Sequence, residues 1–280
     1  MADYQPKGTM QTLHGRQTYI ARPLNSATPK GIVIIIPDAF GQSFPNNKHL
    51  ADEYAARGPF LVYLPEFMDG HSAPSWLVYT FSQLFATATW WDLIRKPYDI
   101  AIALYAMAPF IYHNGFGKSM PKVQAYFEAV RDNEATEQNL PIGSAGFCWG
   151  GQHVFALATG EYKSSKSGKV LCDAHFGAHV SNVSGPPEAK KVKLPLSMAA
   201  ATDDKVLSLA KAREVEAILR EKADKEGLKH SEVQYYEGAG HGFAVRADPM
   251  DKKLAEHAEG ATDQAVQFYR RVFADWKGAS

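Results

Sequence analysis

Short runs of β-branched residues, separated by helical stretches, constrain this chain more than any other feature of its sequence. The clearest run is GIVIIIP at residues 31–37, which is continuously apolar and ends at a proline. A run of this length without polar alternation is typical of a strand buried on both faces. FLVYLP at 60–65 repeats the pattern, with a helix predicted over 46–57 between the two. Strand, helix and strand in this order predict a parallel pair of strands.

The same alternation continues to the C-terminus. Strands are also predicted over 11–23, 140–147, 169–177, 194–201 and 231–240, and helices over 150–160, 207–227 and 251–276. This order predicts a mostly parallel central sheet with helices on both faces. Since no repeat, low-complexity tract or linker interrupts the pattern, we expect residues 1–280 to form a single domain.

The segment 66–139 breaks the rhythm and is predicted to be helical. Its aromatic residues are Trp76, Tyr79, Phe81, Phe85, Trp90 and Trp91. Helices packed against the core would account for this composition, and so would a helical cover over an apolar active-site pocket. The two interpretations are compatible, and the sequence leaves both open.

Charge and composition exclude several classes of function. Thirty basic and thirty acidic residues balance, and the most basic stretch, 186–193, has the character of a solvated loop rather than a nucleic-acid surface. The most hydrophobic stretch, 100–112, is too short for a membrane span and contains a proline. The N-terminus has no signal-peptide layout, and two cysteines do not make a disulfide framework. We therefore expect a cytoplasmic protein that binds neither nucleic acid nor membranes.

Residues 144–153, SAGFCWGGQH, place one of the two cysteines between glycines directly after a predicted strand. The stretch 146–150 reads G-x-C-x-G, the nucleophile-elbow pattern with sulfur in place of the serine oxygen. Such a strained turn requires residues without side chains two positions away. The following helix N-terminus lowers the pKa of a thiol there. We predict Cys148 as a nucleophile rather than an inert thiol, the N–H of Trp149 as an oxyanion donor, and Cys172 as a core residue.

A thiol nucleophile needs a base, and the base needs an orienting acid. In α/β-hydrolases the chain order is nucleophile, acid, histidine. Two aspartates follow a predicted strand in AAATDDKVLS at 199–208. Asp203, the first acid beyond the strand end, is favoured, and Asp204 stays open as the alternative. His241 lies between glycines in EGAGHGFAVR at 237–246, after the next strand, and is predicted as the base.

Two further histidines are candidates for the substrate pocket. His175 and His179 lie near the end of a predicted strand, where ligands gather in parallel sheets. No cysteine or histidine pair has metal-ligand spacing, so we expect no metal and no cofactor.

With cysteine, aspartate and histidine in this order, the sequence resembles the dienelactone hydrolase family, the fungal branch in particular. The matching stretches are residues 34–67, 143–152, 201–206 and 238–246, spread over most of the chain. The resemblance implies the α/β-hydrolase fold and a carboxylic ester hydrolase of the carboxymethylenebutenolidase type. The implied partner is a small-molecule lactone or activated ester, cleaved by a Cys-His-Asp triad.

The resemblance also implies roles for single residues. Cys148 is then the nucleophile, His241 the general base and later acid, and Asp203 its orienter. The N–H of Ala39 pairs with that of Trp149 as the oxyanion hole.

Two substrate-binding candidates follow from the same resemblance. In bacterial members a glutamate before the second oxyanion donor keeps the resting thiol neutral, and Asp38 stands at that position here. Arg246 follows the histidine one residue later than the arginine that holds the substrate carboxylate in bacterial members. We therefore expect Asp38 near the sulfur and treat Arg246 as a candidate for binding a carboxylate.

Two other functions fit parts of the sequence. The G-x-C-x-G-x-Q stretch at 146–152 also matches class I glutaminases, but those carry a His-x-Glu pair, whereas Gly242 and Phe243 follow His241. A non-catalytic binding protein on a hydrolase scaffold is the other alternative. The sequence leaves the assembly open between a monomer and a homodimer.

Overall fold

A computed structural model describes residues 4–80, 90–247 and 251–278, with the side chains of residues 90–95 excepted. Within these ranges, eight strands form one sheet in the spatial order β1-β2-β4-β3-β5-β6-β7-β8. Their bounds are β1 Thr9–Leu13, β2 Arg16–Ala21, β3 Ile32–Ile36, β4 Leu61–Pro65, β5 Ile142–Phe147, β6 Ala174–Ala178, β7 Leu196–Ala201 and β8 Glu232–Tyr236. The pairs β1–β2 and β2–β4 are antiparallel, and the other pairs are parallel. This arrangement is the predicted α/β-hydrolase fold.

The β-branched run that opens the sequence forms β3, near the middle of the sheet. All five of its side chains are fully buried. Ile32, Ile34 and Ile36 pack into the core on one face of the sheet. Val33 and Ile35 pack into the core on the other face. A strand covered on both sides needs apolar residues at every position, which explains why this run does not alternate.

Helices cover both faces of the sheet. Their bounds are α1 Pro45–Arg57, α2 Trp90–His113, α3 Phe116–Asp132, α4 Glu134–Glu137, α5 Gly150–Leu157, α6 Pro186–Ala189, α7 Leu209–Glu226, α8 Phe243–Arg246 and α9 Lys252–Asp275. α1, α8 and α9 contact one another on one face, and α5 contacts α3 and α6 on the other. The predicted glycine stop of α7 is Gly227, whose φ of 71° lies in the left-handed region. None of the described helices has the length and hydropathy required to cross a membrane.

The strand predicted over 169–177 is shorter than expected because its first part is committed to other contacts. Leu171 donates its backbone N–H to the Tyr162 carbonyl at 3.1 Å. The Asp173 carboxylate pairs with buried Arg131 at 2.6 Å and accepts the Ile142 N–H at 2.8 Å. Sheet pairing of β6 therefore begins only at Ala174.

The described part of segment 66–139 is mainly helical, as predicted. The buried side chains that fix its helices to the core include Phe110, Met120, Val123, Phe127 and Val130. Trp76 and Tyr79, which precede α2, are half exposed or more. Phe81 and Phe85 of the predicted aromatic group lie outside the described residues, as do the side chains of Trp90 and Trp91. Core packing thus accounts for one side of this segment, whereas α2 leaves large apolar side chains exposed on the other.

Candidate active site

Cys148 occupies a strained turn between β5 and α5. Its φ of 49° lies in the left-handed region, which is costly for a residue with a side chain. A Cβ on Gly146 would lie 2.5 Å from the Gly150 carbonyl oxygen, and one on Gly150 would lie 2.1 Å from the Ile36 carbonyl oxygen. The two glycines are therefore required by close backbone contacts, and the second brings the turn against the end of β3.

His241 lies beside the sulfur of Cys148. The loop after β8 carries the imidazole, and Gly242, with a φ of 93°, lets this loop turn into α8. The His241 Nε2 atom is 3.2 Å from Cys148 Sγ, within hydrogen-bonding distance for a sulfur partner. Cysteine and histidine, 93 positions apart in the chain, therefore meet at the carboxyl edge of the sheet, as the chain order predicts.

The carboxylate that contacts His241 is that of Asp204, not that of Asp203. His241 Nδ1 lies 3.0 Å from Asp204 Oδ2 and 3.2 Å from Oδ1. Asp204 is buried, and its Oδ1 also accepts the backbone N–H of Val206 at 2.7 Å.

The structure does not bring the favoured Asp203 to His241, whereas Asp204, the alternative that the sequence left open, contacts the imidazole. Asp203 is exposed, and its carboxylate accepts a hydrogen bond from the Thr202 hydroxyl at 3.3 Å. Its backbone N–H donates to the Ala239 carbonyl at 2.9 Å, which extends the pairing of β7 with the β8 region by two residues beyond Ala201. The chain therefore turns toward His241 one residue later than expected.

The contacts among these three side chains favour charged sulfur and charged imidazole. Burial lowers the pKa of His241, but hydrogen bonds with Asp204 and Cys148 outweigh it and raise that pKa to about 9. Burial raises the pKa of the Cys148 thiol, but the His241 hydrogen bond and the charges of His241 and Arg246 bring it down to about 7. A thiolate–imidazolium pair is consequently well populated near neutral pH.

Buried Asp38 and partly buried Arg246 form an ion pair close to this site. Asp38 is fully buried, and its Oδ2 lies 3.2 Å from Arg246 Nε. Asn47 Nδ2 and the Phe40 N–H each donate to Asp38 Oδ1 at 3.2 Å. Burial raises the pKa of Asp38, whereas the Arg246 charge and these two hydrogen bonds lower it. Both charges act on the thiol: that of Arg246 lowers the pKa of Cys148, and that of Asp38 raises it.

The two predicted oxyanion donors follow neighbouring parallel strands. β3 and β5 pair with Ile36 opposite Gly146, so the turns after them lie side by side. Among the described residues, neither the Ala39 nor the Trp149 backbone N–H donates to a hydrogen bond. The Trp149 side chain is fixed, because its indole N–H donates to the Asn114 carbonyl at 2.8 Å. Both backbone donors are therefore available to an added oxygen atom.

His179 lies at the site, and His175 does not. The His179 ring stands edge-on to His241, with ring centroids 5.3 Å apart. It is buried, and neither ring nitrogen has a hydrogen-bond partner in the described structure. Burial holds the pKa of His179 well below its usual value, so the ring is neutral beside the His241 cation. His175 lies near the amino end of β6 and contacts the Pro195 carbonyl at 3.2 Å, which places it away from the site.

Ser181 contacts the sulfur and was missed by the sequence reasoning. Its hydroxyl oxygen lies 3.5 Å from Cys148 Sγ, and its backbone N–H donates to the Cys148 carbonyl at 2.9 Å. The signal in the sequence was its position three residues beyond the end of β6, on the edge of the sheet where the other site residues lie.

A cavity of about 510 Å³ opens beside His241. Its apolar lining includes Val78, Val206 and Phe243, and its charged lining includes Asp203, Lys205 and Arg246. Such a cavity suits a small, largely apolar ligand with a few polar groups. No group of three or more potential metal ligands occurs among the described residues.

Comparisons with known proteins agree with this architecture. The profile of the dienelactone hydrolase family matches residues 17–273. The hydrolase tropI of Talaromyces stipitatus is 27% identical over 272 residues, covering 96% of this chain and 92% of that protein. Dienlactone hydrolase 1 of Gibberella moniliformis is 25% identical, covering 88% of this chain and 81% of that protein.

A solved structure extends the comparison to the fold alone. The thermophilic esterase Est2 of Thermogutta terrifontis superposes with a TM-score of 0.60 at 11% identity, covering 95% of this chain and 94% of that one. The family match spans nearly the whole sheet and all the side chains that meet at its carboxyl edge. The chain therefore belongs to the dienelactone hydrolase family and is a carboxylic ester hydrolase with the α/β-hydrolase fold.

Proposed function

We propose that this chain hydrolyses a lactone or an activated carboxylic ester with Cys148 as nucleophile, His241 as general base and acid, and Asp204 as the group that orients His241. The main support is one chain of contacts: Cys148 Sγ to His241 Nε2 at 3.2 Å, and His241 Nδ1 to Asp204 Oδ2 at 3.0 Å. A nucleophile in contact with a base, and a base held by a buried acid, is the arrangement that acyl transfer requires.

In the first half of the reaction, the Cys148 thiolate attacks the carbonyl carbon and forms a tetrahedral intermediate. Its negative oxygen accepts hydrogen bonds from the backbone N–H groups of Ala39 and Trp149, which are free of other acceptors in the described structure. The C–O bond then breaks, and His241 gives its Nε2 proton to the departing oxygen. The products of this half are an alcohol or enol and a thioester on Cys148.

In the second half, water cleaves the thioester. Neutral His241 takes a proton from water, the hydroxide attacks the thioester carbonyl, and the tetrahedral intermediate forms again on the same donors. The C–S bond breaks and restores the thiolate beside the imidazolium, releasing the carboxylic acid. The Asp204 carboxylate keeps Nδ1 as the protonated nitrogen throughout, so that Nε2 faces the reacting atoms.

The sulfur nucleophile restricts the substrate to activated esters. A thiolate leaves a tetrahedral intermediate more readily than an ordinary alkoxide does, so an unactivated ester reverts to substrate. An enolate or phenolate leaves readily enough to compete. We therefore expect enol lactones and aryl esters to react, alkyl esters to react slowly and amides to be very poor substrates.

Arg246 is our candidate for binding a carboxylate on the substrate. Its Nη2 atom is buried without a hydrogen-bond partner among the described residues, and the residue lines the cavity beside His241. Asp38 holds the same guanidinium at 3.2 Å, so a bound substrate anion and Asp38 would share one cation. His179 completes the candidates, since its two free ring nitrogens border the same imidazole.

The decisive test compares the two cysteines as single variants. Cys148→Ala should lower turnover of p-nitrophenyl acetate and of an aryl lactone at least about 10³-fold, since no other nucleophile replaces the thiolate. Cys172→Ala is the matched control and should keep turnover within a few fold, with circular dichroism reporting the fold of both variants. Retained turnover in Cys148→Ala would contradict the mechanism.

If the wild-type protein hydrolyses none of the lactones and aryl esters tested, the result would favour a non-catalytic binding protein or a glutaminase. Folded protein that binds but does not cleave lactones and aryl esters would support a non-catalytic binding role. Ammonia release from glutamine, lost in Cys148→Ala, would support the glutaminase alternative.

A further inference from the structure

The outer face of α2 carries half of the large hydrophobic residues that the described part of the chain leaves exposed. Tyr98, Leu104, Tyr105, Ile111 and Tyr112 all lie on it, each with at least 60% of its surface exposed. Residues 100–112 contain no charged side chain. The opposite side of the helix, with Ala103 and Phe110, is buried in the core. A helix that is apolar on all sides is normally covered on all sides.

Large and small residues alternate along the centre of this face. Tyr98, Ala101, Tyr105, Ala108 and Tyr112 follow one another at spacings of three and four, and all five are exposed. We call these five residues the tyrosine–alanine seam. Their spacing is that of the a and d positions of a heptad, with tyrosine at every a position and alanine at every d position.

We propose that the tyrosine–alanine seam of α2 packs antiparallel against the same seam of a second copy of this chain. When two such helices pair antiparallel, an a position of one faces a d position of the other, so that each alanine meets a tyrosine, while Tyr112 lies beyond the paired positions. Tyr105 of one copy then fills the space above Ala101 of the other, and Tyr98 faces Ala108 in the same register. The pairing is self-complementary, as a two-fold interface requires.

The flanks of the seam fit the same arrangement. Leu104 and Ile111 lie seven residues apart on one side of it, and both are mostly exposed. In the antiparallel pair they widen the apolar contact across the two-fold axis. Pro97 precedes the seam, and Pro109 lies beside it rather than in it, so neither proline occupies a packing position. Residues 100–112 contain no charged side chain, so the paired stretch from Ile100 to Ala108 contributes no like charges. Lys118 Nζ, 3.8 Å from the centroid of the Tyr112 ring, lies beyond the paired positions.

A second copy explains the face better than a lipid surface does. A helix that lies on a membrane carries lysine and arginine on its other side, whereas the other side of α2 packs on the protein core with Ala103 and Phe110. A lipid surface is also uniform and gives no reason for alanines between the tyrosines. Alternation of large and small residues is what a specific helix partner recognises.

The test measures the oligomeric state by sedimentation velocity on the full chain. The wild-type protein should be a dimer, and Ala101→Glu should raise its dissociation constant by at least about 100-fold, because each dimer buries the introduced charge twice. Ala101→Trp and Ala108→Trp should also raise it, since tryptophan fills the space that the opposing tyrosine needs. Ala210→Glu and Ala210→Trp, at an exposed alanine of α7, are the matched controls and should remain dimeric.

The tryptophan variants separate specific packing from simple stickiness. If Ala101→Trp and Ala108→Trp associate more strongly than the wild type, the face is a non-specific apolar patch and the proposal is wrong. A wild-type protein that stays monomeric into the millimolar range also overturns it. So does monomeric protein that floats with phosphatidylcholine vesicles and loses this binding in Ala101→Glu. None of these outcomes depends on ester turnover.

Discussion

The two cysteines of this chain lie at opposite ends of the sheet and differ in almost every physical respect. Cys148 follows the carboxyl end of β5, whereas Cys172 precedes the amino end of β6. Next to His241 the pKa of the Cys148 thiol is about 7, and in the core burial raises that of Cys172 to about 12. The Cys172 thiol donates instead to the carbonyl oxygens of Ile142 and Ala174, at 3.3 and 3.2 Å.

This difference shows how the fold assigns reactivity to a side chain. Both thiols are largely removed from water. For each of them burial acts to raise the pKa, and the other contacts decide the net shift. At the carboxyl edge the loops after several strands bring an imidazole and a guanidinium close enough to lower the pKa of the Cys148 thiol. At the amino edge, burial and the charge of the neighbouring Asp173 carboxylate raise the pKa of Cys172 and disfavour the anion.

Alkylation of the folded protein with iodoacetamide tests the predicted difference in reactivity between the two cysteines most directly. Since the thiolate is the reactive form, Cys148 should react at least about 10⁴-fold faster than Cys172 near neutral pH. The rate should rise with pH to a midpoint near 7, the pKa of Cys148. Mass spectrometry of peptides containing each cysteine gives both rates.

A variant of the base tests the origin of this midpoint. His241→Ala removes the hydrogen bond and charge that lower the thiol pKa, so the alkylation midpoint should move upward, toward the ordinary value for cysteine. An unchanged midpoint in that variant would show that the imidazole does not activate the sulfur. Equal labelling of both cysteines in the folded wild type would contradict the claim that the site activates Cys148 relative to Cys172.

A smaller effect separates the two adjacent aspartates. Asp204→Asn should lower turnover about 10²-fold, because an amide oxygen holds Nδ1–H less strongly and stabilises the imidazolium less than a carboxylate does. Asp203→Asn, at an exposed carboxylate that lines the cavity while Asp204 contacts His241, is the matched control and should lower turnover no more than a few fold. Kinetics of aryl-ester hydrolysis would measure both, and a larger loss for Asp203→Asn would reverse the assignment.

The aspartates also show where sequence reasoning reaches its limit. Some features depend only on local sequence or on the order of residues along the chain, and these can be predicted from the sequence. They are the strand–helix alternation, the glycines around Cys148, and the order of cysteine, acid and histidine. Which of two neighbouring aspartates faces His241 depends on how far β7 pairs beyond Ala201, and there the Ala239 carbonyl takes the Asp203 N–H. That hydrogen bond joins two loops that are distant in the chain, so it cannot be predicted from the sequence of either loop alone.

The same limit applies to Arg246 and His175. The carboxylate that holds the Arg246 side chain lies on Asp38, more than 200 positions earlier, so their pairing appears only in the folded chain. His175 was expected at the carboxyl edge because the strand was predicted to begin at 169. Its true start at Ala174 moves His175 to the amino end, and an error in a strand boundary thus became an error in a site residue.

The smallest expected effect is that of Ser181, a neutral side chain in contact with the Cys148 sulfur. Its hydroxyl lies 3.5 Å from Cys148 Sγ, and a hydroxyl donor stabilises a thiolate more than a thiol. Ser181→Ala should therefore raise the alkylation midpoint slightly and lower turnover about fivefold, which corresponds to about 1 kcal/mol, the net contribution of one ordinary hydrogen bond. Ser184→Ala, at an exposed serine in the same loop, is the matched control.

A purely structural role for Ser181 predicts a different result. In that case Ser181→Ala would lower the thermal stability of the protein while the alkylation midpoint stayed at the wild-type pH. The backbone N–H that donates to the Cys148 carbonyl at 2.9 Å is present in the variant, so the elbow should keep its conformation. A shifted midpoint at unchanged thermal stability would therefore assign the effect to the hydroxyl and its contact with the sulfur.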